Sequence, residues 1–109
     1  MNERNVIYTV MTCEKLGIDP KTKFPDMGSS RLVGWYKEKD DAFEAVRTNA
    51  CDICECCYNY VIIEAVEEGL YQPAGHDSRW FFAYNRKTGG YDPLPEPAGY
   101  GSTVGFTIG

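Results

Sequence analysis

The sequence lacks any long apolar run, because no stretch approaches the roughly 18 consecutive apolar residues of a membrane-spanning helix. Its first residues, Met1 to Asn5, also lack the basic-then-apolar order of a signal peptide. Basic residues are in deficit, with 11 Lys and Arg against 16 Asp and Glu and a net charge of −5. This balance argues against broad attraction to nucleic-acid polymers or anionic membranes. We therefore expect a cytoplasmic protein without a membrane, DNA or RNA polymer as partner.

Histidine is almost absent, which limits the catalytic chemistry available. The single histidine, His76, lies in the sequence Pro-Ala-Gly-His-Asp-Ser, and residues adjacent in sequence cannot adopt the relay geometry of a catalytic triad. No acid–base pair of carboxylates stands out. The glycines lack the Lys-Ser/Thr sequence and the following helix of a phosphate-binding loop. We expect no catalytic residues, no cofactor and no enzymatic activity.

The chain of 109 residues has room for one domain, so we predict a single ligand-binding domain over residues 1–109. β-branched and aromatic blocks predict strands over Val6–Cys13, Arg31–Tyr36, Tyr60–Val66, Arg79–Tyr84 and Val104–Ile108, with a hairpin turn over Asn85–Gly90. Irregular loops are predicted over Gly17–Ser30 and, because of its prolines, Asp92–Gly101. The expected fold class is α+β, an antiparallel sheet of about five or six strands with one main helix packed on it.

The main helix is predicted within Lys39–Ala50, where the apolar residues change to a helical period. Asp41 and Glu44 have the spacing of an N-cap residue and its reciprocal acid, so the helix should begin near Asp40 or Asp41. Tyr60–Val66 is apolar on both faces apart from one glutamate, which predicts a central strand buried on both sides.

Cysteines concentrate after this helix, with four of the five at Cys51, Cys54, Cys56 and Cys57. Thiolates at this spacing can reach one zinc ion, but strong zinc sites bring a second ligand pair from elsewhere, and only Cys13 and His76 remain. A redox dithiol would precede a helix, whereas this run follows one. We therefore expect no metal site and favour partly buried thiols that pack a connector, with a small zinc or thiol protein as an alternative.

The densest aromatic block, Arg79 to Arg86, alternates large rings between two faces. If Trp80, Phe82 and Tyr84 share an accessible face, with arginines at the rim, the sheet offers rings to stack a base and guanidinium groups to bind phosphate. The alternative is that both faces are buried, one by the helix and one by a partner subunit.

Several blocks distributed along the chain carry a resemblance to a known family. They are Arg31-x-Val33-Gly34-Trp35-Tyr36, Asp41-Ala42-Phe43-Glu44-Ala45-Val46, Tyr58-Asn59-Tyr60-x-x-Ile63-Glu64, Glu68-Gly69-Leu70-Tyr71 and Gly105-Phe106-x-Ile108-Gly109. From Tyr8 onward, the sequence resembles the phage Thoeris anti-defence sponge family. The cysteine-rich connector is not part of this resemblance.

The resemblance implies a small α+β protein that assembles from identical subunits, as a dimer or a hexamer. It implies binding of cyclic ADP-ribose isomers, including glycocyclic ADP-ribose, without cleavage, so that the bacterial Thoeris effector is not activated. It also allows a second site for cyclic oligonucleotides. The competing class is a protein-interaction module that inhibits a host protein.

The chemistry of such a ligand suggests candidate site residues. An adenine needs a ring to stack on, a pyrophosphate needs arginine, and ribose hydroxyls need Asn or Asp. We assign Phe82 to stacking, Arg31 and Arg86 to phosphate and Asn85 to the ribose or base edge, with Arg79 as a further cationic candidate.

Overall fold

The computed structural model describes residues 5–23, 25–68, 79–95 and 97. Its elements are β1 (Val6–Cys13), β2 (Gly17–Ile18), β3 (Pro25–Asp26), β4 (Ser30–Tyr36), α1 (Lys39–Arg47), β5 (Tyr60–Glu67), β6 (Arg79–Asn85) and β7 (Gly90–Leu94). One antiparallel sheet has the order β4-β1-β5-β6-β7, while β2 and β3 pair separately. This arrangement confirms the predicted α+β class. The predictions for His76 and for a strand over Val104–Ile108 lie outside the described residues.

The central strand β5 lies between β1 and β6 and is buried on both faces, as predicted. Val61 and Ile63 belong to the apolar cluster beneath α1, whereas Ile62 packs with Cys13 and Phe81 on the opposite face. Side chains alternate between the two faces of a strand, so the unbroken apolar run of β5 fills both layers.

Helix α1 presents Ala42 and Val46 to the sheet, and both are fully buried. The predicted cap at Asp41 is wrong, because the helix begins at Lys39 and its N-cap residue is Glu38, which makes no side-chain cap. The expected partner acid, Glu44, instead accepts hydrogen bonds from Arg47, with the shortest from Nη2 at 2.6 Å. An ion pair within the last two turns has thus replaced the expected capping box.

Strands β6 and β7 form the predicted hairpin, with Asn85 opposite Gly90. The predicted loop is wrong over its first residues, since β7 continues through Pro93 to Leu94. Proline is tolerated there because β7 is an edge strand and pairs only with β6 among the described strands. The predicted excursion after β1 contains the short β2 and β3 pair.

No helix in the described part of the chain combines the length and apolar character needed to cross a bilayer.

Candidate functional site

The predicted site residues fall at two opposite ends of the sheet. Three of them, Arg31 on β4, Asn85 at the end of β6 and Arg86 just after it, lie at the end where β5 begins. Arg79 pairs in register with Glu64 at the other end. Because a strand advances about 3.3 Å per residue, Arg79 and Asn85 are roughly 20 Å apart. The structure therefore brings Arg31 and Arg86 to one end and leaves Arg79 away from them.

Phe82 is a core residue, with 3% of its surface exposed. Its ring packs edge-on against Phe43 of α1, with 5.3 Å between the ring centroids. Trp80 and Tyr84 do share a face with Phe82, as expected, but this is the face that α1 covers. A base could stack on Phe82 only if the helix moved, so the structure gives this ring a packing role.

Asn85 uses both ends of its amide in the hairpin. Its Nδ2 donates to Asp92 Oδ2 at 2.9 Å, and its Oδ1 accepts the backbone N–H of Lys87 at 2.9 Å. These bonds order the turn between β6 and β7, which is a common task for asparagine. A ribose would have to compete with them.

Arg79 is buried on the sheet face that points away from α1. Glu64, its partner in the β5–β6 register, is buried as well. Opposite charges side by side on a covered face are typical of a structural pair. This location is remote from the other candidate arginines.

Arg31 differs because its side chain is half-exposed. Its guanidinium forms an ion pair with Glu55 and lies over the ring of Tyr58, with Cζ 5.2 Å from the ring centroid. Both partners belong to the segment between α1 and β5, residues 48–59, which we call the connector. Stacking on an aromatic face directs the N–H groups of a guanidinium to its edge, and Glu55 pairs with Arg31 at that edge.

Arg31 stands at a cleft of about 500 Å³ between β4 and the connector, and its lining is Arg31, Leu32, Val33, Cys51, Asp52, Ile53 and Glu55. A second cleft of about 270 Å³ continues between β4 and α1, and its lining is Val10, Val33, Gly34, Trp35, Tyr36, Ala45, Ala50, Cys51 and Ile53. The two clefts share Val33, Cys51 and Ile53, so they adjoin. We call them together the β4 groove.

A β-bulge in β4 determines which side chains face this groove. Val10 pairs with Gly34 but Met11 pairs with Leu32, which leaves Val33 as the extra residue. The register therefore places Arg31 and Tyr36 on the α1 side of the sheet and Trp35 on the other side. Arg31 and Tyr36 are about 13 Å apart along the strand, with mostly apolar residues between them.

Arg86 stands in a separate cleft of about 270 Å³ on the other side of the connector, and its lining is Asp52, Cys54, Cys56, Asn59, Tyr84 and Arg86. Asp52 lines both this cleft and the Arg31 cleft, so the connector forms the wall between them. Arg31 and Arg86 are thus at the same end of the sheet but in different clefts.

The backbone of the connector is unusual for a segment without glycine. Its left-handed residues are Asn49, Cys51, Asp52, Glu55 and Cys56. The conformation costs a residue other than glycine about 1 kcal/mol. Turn hydrogen bonds hold it, including Cys57 N–H to the Cys54 carbonyl at 3.0 Å and Cys54 N–H to Asn49 Oδ1 at 3.0 Å. Strained backbone of this kind is concentrated at functional sites.

All five cysteines are free thiols. Burial raises the pKa of Cys13 to about 12, so this thiol stays protonated and inert. Cys54 is also buried, whereas the other connector thiols, Cys51, Cys56 and Cys57, are exposed. Within residues 5–23, 25–68, 79–95 and 97, no three cysteine, histidine or carboxylate side chains converge on a position that could hold a metal ion.

Comparisons with protein-family models, with curated proteins and with solved structures give no match to this chain.

Residue chemistry alone missed the connector side of this site. Tyr58 stands in the Tyr58-Asn59-Tyr60 block quoted above, but no role was assigned to it. Glu55 carried no signal, since nothing in the sequence shows that it meets Arg31. Tyr36 was visible only as a β-forming residue of β4. The β4 groove combines the Arg31 guanidinium, which is stacked on Tyr58, with the Tyr36 ring and apolar walls, and this set suits a ligand that has both a planar ring and an anionic group.

Proposed function

We propose that the protein is a non-catalytic binding protein that sequesters cyclic ADP-ribose isomers, glycocyclic ADP-ribose among them, in the β4 groove. The observation that carries the proposal is the half-exposed Arg31 guanidinium, stacked on Tyr58 at a cleft of about 500 Å³. Arginine binds a pyrophosphate through parallel charge-assisted hydrogen bonds. The resemblance to the phage Thoeris anti-defence sponge family supplies the ligand class.

The apolar part of the groove suits the base and ribose end of such a ligand. Tyr36 lies at this end, about 13 Å from Arg31 along the strand, and gives a base a ring to stack on. A protein that binds a messenger without cleaving it removes the messenger only when the dissociation constant of the complex is well below the messenger concentration. We expect a nanomolar dissociation constant, about 12 kcal/mol of binding free energy.

The biological role follows from the same resemblance. In the cytoplasm of an infected bacterium, a phage protein that holds the messenger would prevent activation of the Thoeris effector. The proposal also includes a second site for cyclic oligonucleotides. The Arg86 cleft is one candidate location, because it is lined by the Arg86 guanidinium and by Tyr84.

Self-assembly is the second part of the proposal. Strand β4 is the edge of the described sheet, and it exposes Leu32 and Trp35 at 51% and 53% on the face away from α1. Large apolar side chains on an edge strand favour pairing with another chain. A second copy on β4 would cover these side chains and extend the wall of the groove.

The same exposed side chains favour one alternative, a protein-interaction module that inhibits a host protein. Aromatic residues are enriched at the centres of such interfaces. The alternative predicts that the purified protein retains no nucleotide and that changes at Trp35 abolish inhibition.

A retention experiment tests the proposal. The purified protein is incubated with cyclic ADP-ribose isomers, freed of unbound ligand and heat-denatured, and the released small molecules are identified by mass. We expect an intact isomer at about one per subunit. No retained ligand would favour the interaction module, and recovery of hydrolysed product alone would indicate an enzyme.

Matched variants locate the site in the same experiment. Arg31→Ala should lower the affinity about thirtyfold, since a charge-assisted bond contributes about 2 kcal/mol. Arg47→Ala is the control, because Arg47 is equally cationic but pairs with Glu44 on the outer surface of α1. Equal binding by the two variants would place the ligand outside the β4 groove.

A further inference from the structure

Arg31 has an anionic partner within the chain. The Glu55 carboxylate pairs with its guanidinium, and the Tyr58 ring lies beneath the same group at 5.2 Å. The cleft lined by Arg31 and Glu55 also contains Asp52. Of these two carboxylates, Glu55 pairs with Arg31, whereas Asp52 accepts a hydrogen bond from Asn49 Nδ2 at 3.4 Å. A phosphate that binds the Nη2 side of the guanidinium must therefore displace the Glu55 carboxylate.

We propose that Glu55 is an internal competitor for Arg31: it pairs with the guanidinium until the anionic group of a ligand displaces it. This inference rests on the proposed binding function and adds competition between Glu55 and the ligand at the same site, which we call the gate. Glu55 acts as a surrogate anion that keeps Arg31 oriented towards the cleft. The ligand then takes over the same N–H fork.

Separation of the Arg31–Glu55 ion pair requires little free energy. Both side chains are about half-exposed, at 49% for Arg31 and 43% for Glu55, so water and salt screen their attraction. Tyr58 is independent of the pair and continues to support Arg31 after Glu55 leaves. An exchange of anions therefore does not require the arginine to be repositioned.

The turn that carries Glu55 lies between two anchored parts of the connector, the buried Cys54 and Asn59, whose carbonyl accepts the Tyr84 N–H at 2.8 Å. Cys54 is buried in the core beneath α1, and its N–H bonds to Asn49 Oδ1. Glu55 and Cys56 follow in left-handed conformations, in a turn closed by the Cys54 carbonyl and the Cys57 N–H. Because the Glu55 side chain projects from this turn and is about half-exposed, a change of its rotamer can release Arg31 without disturbing the core.

A competing carboxylate also makes the site selective. A ligand with a single carboxylate only replaces one equivalent partner by another, and it gains little. A pyrophosphate carries more charge and more acceptor oxygens, and so it displaces Glu55 more effectively. The groove should thus discriminate against simple carboxylates in favour of ligands with linked phosphates.

The test compares Glu55→Gln with Glu44→Gln, which makes the same charge change in an exposed ion pair on α1. Binding of inorganic pyrophosphate and of acetate is measured by calorimetry for the wild type, both variants and the double variant Arg31→Ala/Glu55→Gln. Glycocyclic ADP-ribose is measured separately. Thermal unfolding confirms that each variant is folded.

We expect Glu55→Gln to bind pyrophosphate about three- to fivefold more tightly than the wild type, the range that an exposed ion pair supports. The discrimination between pyrophosphate and acetate should shrink. Glu44→Gln should leave both unchanged, and Arg31→Ala/Glu55→Gln should lose the gain. The proposal would be overturned if Glu55→Gln bound pyrophosphate no more tightly than the wild type, or if the gain persisted without Arg31. It would also be overturned if no variant bound pyrophosphate.

The two proposals fail separately. A pyrophosphate gain without retention of any cyclic ADP-ribose isomer would keep the gate and reject the sponge. Retention of glycocyclic ADP-ribose with equal affinity in the wild type and Glu55→Gln would keep the sponge and reject the gate.

Discussion

The sheet around β5 and the connector beside it differ in the burial of their side chains and in the regularity of their backbone. In β5, Val61, Ile62 and Ile63 are fully buried in regular, hydrogen-bonded strand geometry. The connector, residues 48–59, is largely exposed and contains five left-handed residues that are not glycine. The central side chains of β5 are almost completely buried, whereas the connector has several backbone conformations of higher energy and lies between two clefts. The contrast suggests that stability is concentrated in the sheet and binding in the connector.

The largest expected effect is on the sheet side of this comparison. Phe82→Ala removes a buried ring and should lower the free energy of unfolding by about 4 kcal/mol. Tyr58→Ala, in the connector, should cost at most about half as much, since Tyr58 is only partly buried. Urea denaturation measures both, and Phe82→Leu serves if Phe82→Ala does not fold. A greater loss of stability at Tyr58 than at Phe82 would reverse the comparison.

The second prediction concerns the contact between the sheet and α1. A Cβ atom at Gly90 would lie 1.9 Å from the Arg47 carbonyl oxygen, so Gly90→Ala forces the backbone of β7 or the end of α1 to shift. We expect a loss of about 3 kcal/mol, typical of severe overpacking. Gly89→Ala is the control, because its Cβ would meet nothing within 4 Å and only its φ of +76° is unfavourable. That variant should cost about 1 kcal/mol. Equal melting temperatures would contradict the close approach.

The smallest effect should have the opposite sign and sharpens the account of the connector. Cys56 has a φ of +65°, so Cys56→Gly should relieve strain and stabilise the protein by about 0.5–1 kcal/mol. Cys57 is a neighbouring exposed thiol outside the left-handed set, and Cys57→Gly should destabilise by a similar amount. Chemical denaturation under reducing conditions distinguishes the two. If Cys56→Gly is no more stable than Cys57→Gly, the turn is not strained.

The same contrast explains what could be predicted from the sequence. Strand β1 has the predicted bounds, Val6–Cys13, because β-branched and aromatic residues favour a pleated strand, although its second half is buried on both faces rather than one. The alternation in β6 showed that Phe82 shares a face with Trp80 and Tyr84, but it could not show that α1 covers that face. A periodic pattern identifies faces, whereas their occupants depend on the tertiary fold.

The connector was less accessible to prediction for a physical reason. Glycine or an Asn-Gly pair usually indicates a left-handed turn in a sequence, but here the left-handed conformation occurs at residues such as Glu55 and Cys56. The meeting of Arg31 with Glu55 and Tyr58 depends on how the connector folds back over β4. No local pattern encodes a contact of this kind, so the sequence could propose Arg31 for phosphate, but its partners Glu55 and Tyr58 emerged only from the three-dimensional arrangement.

The most direct test of the central claim is amide hydrogen exchange with and without glycocyclic ADP-ribose, read by mass spectrometry on peptides that cover β4, the connector and β6. The account predicts that the ligand protects amides in β4 and the connector, while the β6 residues around Arg79 and Phe82 stay unchanged. Protection confined to the Arg79 end of β6, or no protection anywhere, would contradict the assignment of ligand binding to the β4 groove.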